Sequence, residues 1–521
     1  MIRIRQIKLN IDEDNLKEKV AKKLKIKEMD IKKLKINKKS IDARKEIKYI
    51  YEVDVEVPNE KYYLQKNDND IIKTPNEKYE FKIEGKQTLK NNPVIIGSGP
   101  SGLFAAYLLS KHGYNPIIIE RGEDIDNRVK TVEKFWKENI LNENSNVQFG
   151  EGGAGTFSDG KLNTSVKDKN HTKKFILETF VKHGAPEEIL YINKPHIGTD
   201  LLRDVIKNIR NEIIKNGGTF VYNTKLEDII IENNQIKEIK TDKETIKTDN
   251  LILAIGHSAR DTFEMLLKRN ILIKPKPFAI GIRIQHSQSL IDKNQYGKEY
   301  KILPRASYKL TYKASNGRGV YSFCMCPGGF VVNSSSEKEM LAINGMSNHK
   351  RDEENANSAI IVTVNQDDFG NNPLDGIKYQ KLLEKITYQI GKGKIPIQLY
   401  KDFKENKKTE KLGKINPIMK GNYTLSNLNE IFPKYITESL IEAIEYFNKK
   451  IKGFSDDDVI LAAIESRTSS PVKIERDENL ETNIKGIYPI GEGAGYAGGI
   501  MTAAMDGIKV AEIIAKKYKP F

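Results

Sequence analysis

Three glycines early in the chain have the spacing of a turn that binds phosphate groups. Gly97, Gly99 and Gly102 lie in the run PVIIGSGPSGLFAA, between an apolar strand pattern and a pattern that predicts a helix from Ser101 to Lys111. In such a turn the glycines permit a tight bend, close approach of the backbone to a pyrophosphate, and close packing of the helix on the strand. The helix start adds N–H donors and partial positive charge. The pattern predicts a dinucleotide site, and NAD and FAD both fit it.

An acidic residue follows at the distance that a ribose-binding group needs. A second apolar strand, Pro116–Ile119, ends next to Glu120, close to the offset of ~20 residues at which a carboxylate binds ribose hydroxyls. The strand, helix and strand complete a βαβ unit, which predicts a parallel sheet.

Two further glycine-rich runs carry polar groups that suit a ligand. The first, FGEGGAGTFSDGK at residues 149–161, cannot form a regular core element, and it suits a loop pressed against a flat or anionic ligand. The second, GIYPIGEGAGYAGG at residues 486–499, leads into a predicted helix, Ile500–Lys517. It repeats the order of strand, glycines and helix start without an acidic partner, so we expect it to close the first sheet.

The two cysteines allow two interpretations. Cys324 and Cys326 are the only cysteines of the chain, and in a strand their side chains would share a face. They could form a redox pair, although C-x-C differs from the usual C-x-x-C, or they could be small residues packed near the ligand. A metal site would need ligands that no other cysteine supplies, so no metal site is predicted.

Composition favours a soluble protein with several cores, and we expect it to be cytoplasmic. The 521 residues contain no apolar run of the length of a membrane span, and the first ten residues lack the apolar region of a secretion signal. The net charge is +15, and residues 1–90 hold 24 Lys and Arg against 17 Asp and Glu. This basic leading part makes RNA a possible partner.

The pattern of elements predicts two sheets of different kind. Leu226–Lys247 is predicted to be a meander that turns at Asn233 and Asn234. Short alternating strands recur from Pro275 to Gln366, which favours a second, antiparallel sheet. The polar stretch Tyr62–Asn92 is expected to be a loosely structured connection.

Taken together, the motifs resemble the two-dinucleotide-binding-domain flavoproteins of the glutathione-reductase type. More narrowly, the runs FGEGGAGTFSDGKLN, KPHIGTD, AIGHSARDTFEML, SFCMCPGG, ESRTSSPV and GEGAGYAGGIMTAAMDGI resemble a family of uncharacterised FAD-dependent dehydrogenases. The resemblance implies an α/β fold: a discontinuous Rossmann-like FAD-binding domain at residues 91–274 and 481–521, an inserted α+β antiparallel-sheet substrate domain at 275–480, and a small basic α/β domain at 1–90.

The resemblance also implies the residues that bind FAD. The three glycines of the first turn would face the pyrophosphate, Glu120 the adenosine ribose, Leu226 the adenine, and the helix at Ile500 the N1–C2=O edge of the flavin. Glu492 stands where the superfamily usually has aspartate. The full predicted set is Gly97, Gly99, Pro100, Ser101, Gly102, Glu120, Arg121, Gly152, Gly153, Gly155, Ser158, Leu226, Gly256, Gly491, Glu492 and Ile500.

These observations predict an FAD-dependent oxidoreductase that transfers a hydride between flavin and an unidentified small organic substrate. Candidate catalytic residues are Lys161, His196 and Arg467; Arg467 would bind an anionic group or form a structural ion pair, and His196 would titrate near neutral pH or serve the core. NADH or NADPH could be a transient electron donor. The alternatives are an RNA-acting flavoenzyme and a non-catalytic flavin-binding sensor or assembly protein.

Overall fold

A computed structural model describes residues 1–66 and 68–521. Its first part is a four-stranded antiparallel sheet in the order β2-β3-β1-β4, in which Ile4 lies opposite Val53 and Ile2 opposite Val55. These apolar residues are buried with Val20 and Leu24 of α1. The elements are β1 (Ile2–Asn10), α1 (Leu16–Leu24), β2 (Lys33–Asp42), β3 (Lys48–Glu56), α2 (Glu60–Gln65) and β4 (Ile71–Lys73).

The stretch Tyr62–Asn92, expected to be a loosely structured connection, contains the end of α2 and two short strands, while residues 74–86 form no helix or strand but still contact the core. Beyond α2 and β4, the Tyr79 hydroxyl donates to Glu512 at 3.0 Å, and the Gly85 N–H donates to the Ala515 carbonyl at 2.8 Å. The polar composition concealed these contacts because they are made by backbone groups and by two aromatic side chains, Tyr79 and Phe81, that pack on the core.

A five-stranded parallel sheet forms the centre of the molecule, in the order β25-β12-β6-β7-β8. Its strands read as short apolar runs because both faces are covered. The elements before the last strand are β5 (Gln87–Thr88), β6 (Val94–Ile96), α3 (Pro100–Lys111), β7 (Ile117–Ile119), α4 (Ile125–Glu138), α5 (Thr172–Lys182), α6 (Thr199–Lys215), β8 (Thr219–Val221), β9 (Leu226–Glu232), β10 (Gln235–Thr241), β11 (Thr245–Lys247), β12 (Leu251–Leu253) and α7 (Arg260–Lys268).

The meander β9–β11 has the predicted turn. Asn233 and Asn234 both have positive φ, +50° and +59°, as a two-residue hairpin turn of this kind requires.

A seven-stranded sheet follows, in the order β15-β16-β19-β14-β23-β20-β22. Its pairs are antiparallel except β20 with β22, which is parallel. The elements are β13 (Ile273–Pro275), β14 (Phe278–Ser287), α8 (Gln288–Tyr296), β15 (Thr311–Lys313), β16 (Gly319–Cys326), β17 (Phe330–Asn333), β18 (Ile343–Met346), β19 (Asn355–Val364), α9 (Gln366–Phe369), α10 (Asp375–Gly391), β20 (Ile395–Leu399), α11 (Tyr400–Lys404), β21 (Met419–Lys420), β22 (Tyr423–Leu425), α12 (Lys434–Asn448), β23 (Ile460–Glu465) and β24 (Val472–Ile474).

The end of the chain returns to the parallel sheet, through β25 (Ile487–Pro489), α13 (Ile500–Lys517) and β26 (Tyr518–Lys519). Helix α13 packs directly on α3, and a Cβ added at Gly507 would lie 2.1 Å from the Ser101 carbonyl oxygen. The helices can therefore approach only because this position is glycine. Across the described residues, no helix has the length and apolar character needed to cross a membrane.

Candidate functional site

A cleft opens at the carboxyl ends of β6, β7 and β12, where open α/β sheets bind their ligands. Both predicted glycine-rich runs reach it, and so does the start of α13. Fifteen of the predicted site residues line this cleft: Gly97, Gly99, Pro100, Ser101, Glu120, Arg121, Gly153, Gly155, Ser158, Lys161, Leu226, Gly256, Arg467, Glu492 and Ile500.

Three predicted glycines support the cleft from behind. A Cβ at Gly102 would lie 2.0 Å from the Gly97 carbonyl oxygen, so Gly102 permits the close packing of helix on strand. At Gly491, which has φ +75°, a Cβ would lie 2.5 Å from the Ser101 hydroxyl oxygen. Gly152 has φ +84°, and a Cβ there would collide with Thr156. All three positions set the shape of the cleft and do not line it.

The cleft has open backbone where a dinucleotide would approach. A Cβ at Gly256, Gly498 or Gly499 would meet no atom within 4 Å, and one at Gly99 would meet only the Gly153 Cα at 3.8 Å. Helices α3 and α13 both begin here, so two positive helix ends face one space. The buried Nε2 of His257 also lines the cleft and has no hydrogen-bond partner in the described part of the chain. These groups fit an elongated anionic cofactor.

Glu120 joins the two glycine-rich segments. Its carboxylate accepts hydrogen bonds from the Ser98 N–H at 3.0 Å and hydroxyl at 2.8 Å, from the Gly122 N–H at 2.9 Å and from the Gly150 N–H at 3.0 Å. A ribose hydroxyl would therefore have to compete with four protein donors. The role in ribose binding stays a prediction, and the observed role is to hold the loops together.

Arg128 was not predicted, yet it organises the loop at residues 146–153. Its guanidinium is fully buried and burial lowers its pKa to about 10. It donates to five backbone carbonyls, those of Asn146, Val147, Gly150, Glu151 and Gly153, at 2.6 to 3.2 Å. An arginine on an amphipathic helix gives no sequence signal for this, because the carbonyls belong to a loop 18 to 25 residues further along the chain.

The far end of the cleft is lined by Cys324, Lys161 and Glu465. Cys324 has φ +43° at a bulge in β16, which turns it toward the cleft. The Lys161 ammonium donates to the Met325 carbonyl and lies 3.5 Å from Asp159. Beneath them, the Arg283 guanidinium donates to the Glu465 carboxylate at 2.7 Å.

The charges at this end favour a thiolate. A hydrogen bond from the Cys326 thiol, together with the nearby cations Lys161 and Arg283, lowers the pKa of Cys324 well below that of an ordinary thiol. The same contact and burial raise the pKa of Cys326. Burial opposes the charge of Lys161, but Asp159 raises the pKa of its ammonium, which stays protonated. One nucleophilic sulfur and one fixed cation therefore share this end of the cleft.

Arg467 forms the ion pair that the sequence left as its alternative. Its Nε and one terminal nitrogen donate to the two Glu384 oxygens at 2.9 and 2.8 Å, and the other terminal nitrogen donates to the Ser258 hydroxyl at 3.1 Å. Arg260 donates to the same carboxylate at 2.7 Å. Arg467 lines the cleft with its donors already engaged, so binding of an anion by this residue stays a prediction.

His196 lies outside the cleft, on the wall of a second cavity. Its Nε2 lies 2.9 Å from the His349 carbonyl oxygen, and the two imidazole rings stack at 5.3 Å. Burial, with the positive charge of Arg351, lowers the pKa of His196 to about 4. The imidazole is therefore neutral at neutral pH. The structure brings His196 and Lys161 together on the wall of this second cavity, where their backbones pair in an isolated β-bridge, whereas Arg467 lines only the first cleft.

Comparison with family models divides the chain into three matched parts. Residues 277–468 match "FAD-dependent protein, C-terminal domain-like", and residues 95–147 match an NAD(P)-binding Rossmann-like domain. Residues 1–56 match a domain of unknown function.

Among whole proteins, an "Uncharacterized protein" of Clostridium beijerinckii is 49% identical over 99% of this chain and 99% of its own length. Thiamine thiazole synthase of Thermotoga maritima is 21% identical over 38% of this chain and 68% of its own length. Solved structures include L-proline dehydrogenase from P. horikoshii (15% identity, 83% of this chain, 96% of that chain, TM-score 0.33) and glycine oxidase from Geobacillus kaustophilus (10%, 83%, 97%, TM-score 0.37). TM-scores this low carry no argument about this chain.

Proposed function

We propose that this chain transfers two electrons as a hydride between FAD and a small organic substrate. The chain belongs to the FAD-dependent oxidoreductase family, and it belongs to the same family as the Clostridium beijerinckii relative that it matches over its full length. FAD is the cofactor of the family. The chemistry that FAD supplies when bound is the reversible uptake of two electrons. The protein's residues bind it, orient it and place charges around it.

The observation that carries the proposal is the meeting of two helix starts and open glycine backbone in one cleft. The start of α3 with Gly99 would hold the pyrophosphate, and His257 would donate to an oxygen of the cofactor through its free nitrogen. The start of α13, with Gly498 and Gly499 before it, would place partial positive charge where the reduced flavin carries negative charge.

The far end of the cleft would hold the reacting part of the substrate. Lys161 keeps a positive charge there, and this charge would bind an anionic oxygen of the substrate or donate a proton to the reduced product. Cys324 contributes a thiolate beside it. The buried Arg283–Glu465 pair fixes the floor of this end, because both partners are almost completely buried.

A variant of Gly99 tests the FAD site without straining the backbone. Gly99 has φ −71°, which any residue can adopt, and a side chain there would fill open space. We expect Gly99→Val to fold normally and to bind FAD at least 100-fold more weakly. Gly319→Val, in strand β16 and outside the cleft, is the control and should bind FAD as the wild type does.

FAD binding is measured from the visible spectrum of the protein after incubation with FAD. Electron transfer is measured by anaerobic reduction with NADH, with NADPH, and by light with an amine as the electron donor. A wild-type protein that stays colourless would contradict the proposal. Bound flavin that neither donor nor light reduces would contradict the catalytic part of it and favour a sensor.

A further inference from the structure

The second cavity has a volume of about 860 Å³ and lies where the N-terminal four-stranded sheet (β1–β4) meets the rest of the chain. It is as large as the spaces that hold mid-sized organic ligands. Lys161 and Asn163 line both this cavity and the FAD cleft, so the two spaces adjoin at the end where Cys324 lies.

Backbone contacts hold the two walls together. The Lys39 N–H donates to the Tyr191 carbonyl at 2.7 Å, and the Asn193 N–H donates to the Lys39 carbonyl at 2.9 Å. Strand β2 is thereby fixed to the loop at residues 191–193 by paired hydrogen bonds. The cavity is a defined space between two anchored segments.

Its lining is strongly basic, and part of that charge has no acidic partner. Lys8, Lys38, Lys39 and Lys194 line the cavity, and none has a carboxylate within 4.0 Å among the residues that the structure describes. The acids on the wall are Asp42, which is paired with Arg44 at 2.7 Å, and Glu188. The unpaired lysines thus leave a net positive potential that would attract anions.

The inner wall continues this charge toward the flavin. Arg351 lines the cavity and donates to Asp159, and Asp159 lies 3.5 Å from Lys161 on the cleft side. His196 on the same wall is neutral at neutral pH, so it adds no charge to this wall. Positive groups therefore run from the outer rim to the end of the cleft.

Resting on the proposed function, we propose that this cavity admits a small organic substrate bearing carboxylate or phosphate groups and leads it to the flavin. The N-terminal sheet (β1–β4) would supply the outer cations of this path. Residues 1–90 would thereby take part in substrate selection. The basic charge of residues 1–90 would then serve a small anion. Single-stranded RNA, by contrast, binds grooves that follow its backbone over several nucleotides.

Artificial electron acceptors test this path in the FAD-loaded protein. The flavin is first reduced anaerobically by light, with an amine as the sacrificial donor of the two electrons. It is then reoxidised by ferricyanide, a trianion of which two ions each take one electron, or by neutral benzoquinone, one molecule of which takes both. In Lys38→Glu/Lys194→Glu the second-order rate with ferricyanide at low salt should fall at least tenfold. The rate with benzoquinone should stay unchanged.

Lys17→Glu/Lys411→Glu is the matched control, with the same change of charge at two exposed lysines outside the cavity. It should reoxidise as the wild type does with both acceptors. Citrate and pyrophosphate, added separately, should slow ferricyanide in the wild type, and the stronger of the two identifies carboxylate or phosphate as the preferred group.

Equal ferricyanide rates in the two double variants would overturn the proposal. It would also be overturned if the control variant bound RNA in a salt-sensitive way and the Lys38→Glu/Lys194→Glu variant did not. A protein that takes up no flavin would contradict the proposed function instead. In that case, citrate binding to the same variants is measured by calorimetry. Loss of citrate binding only in Lys38→Glu/Lys194→Glu would support an anion site in the cavity, and equal binding in the two double variants would overturn it.

Discussion

The two spaces that adjoin at Lys161 recognise charge by different means. The FAD cleft offers backbone N–H groups, helix starts and glycines without side chains, whereas the second cavity offers lysine side chains on exposed or half-buried positions. Backbone groups are fixed in place once the loops form, so they suit a cofactor that is always the same. Flexible lysines are strongly hydrated point charges, which suit a ligand that enters and leaves. The difference is what the two proposals require, a resident cofactor in the cleft and a substrate that passes through the cavity.

The rigidity of the FAD side depends most on Arg128, and its loss should give the largest effect. Arg128→Met would leave five loop carbonyls without their donor, and we expect a loss of about 3–5 kcal/mol in the free energy of unfolding. FAD affinity should fall with it. Urea unfolding and FAD titration measure the two.

Arg203→Met is the control for that experiment, because Arg203 stacks on the same Phe157 ring, at 5.1 Å, as Arg128 does at 4.9 Å. The control should lose much less stability. If both variants lost the same amount, the carbonyl contacts would not be the cause.

On the cavity side, His196 should make stability depend on pH. Its pKa is about 4 in the folded protein and near 6.5 when unfolded, so the unfolded chain binds more protons between these values and stability falls as the pH falls. Between pH 6.5 and 4.5 this one group should account for about 2 kcal/mol of lost stability. Urea unfolding of the wild type and of His196→Gln at both pH values should show a shallower loss in the variant; parallel losses would contradict this.

The smallest expected effect lies where the two spaces meet. Because its pKa is lowered to about 5, Cys324 should be almost fully ionised at pH 7, and the rate of its alkylation by iodoacetamide should have a midpoint near pH 5. Lys161→Met removes one of the nearby cations and should shift this midpoint upward by about one pH unit, equivalent to about 1.4 kcal/mol. Mass spectrometry identifies the labelled residue, and Cys326→Ser shows whether Cys326 contributes. If the pH dependence of labelling were unchanged in Lys161→Met, Lys161 would not be a cause of the lowered pKa of Cys324.

Much of the fold followed from the sequence because it rests on local patterns. The apolar runs at β6 and β7, the turn at Asn233 and the helix Ile500–Lys517 were predicted with nearly their observed bounds. Strand β2 was hidden because it lies in a lysine-rich stretch, where the alternation of half-buried and exposed residues is masked by charge.

The glycine-rich turns were determined by the sequence alone, because glycine adopts the positive φ of Gly97 and Gly256 without strain and leaves an open approach at Gly99. The tertiary structure alone decided which charged groups lack partners. Arg467 and Glu384 are 83 positions apart, and Lys38 and Lys194 line one cavity although they lie in distant parts of the sequence. Pairing of charges is a matter of distance in space, and a one-dimensional pattern does not contain that distance.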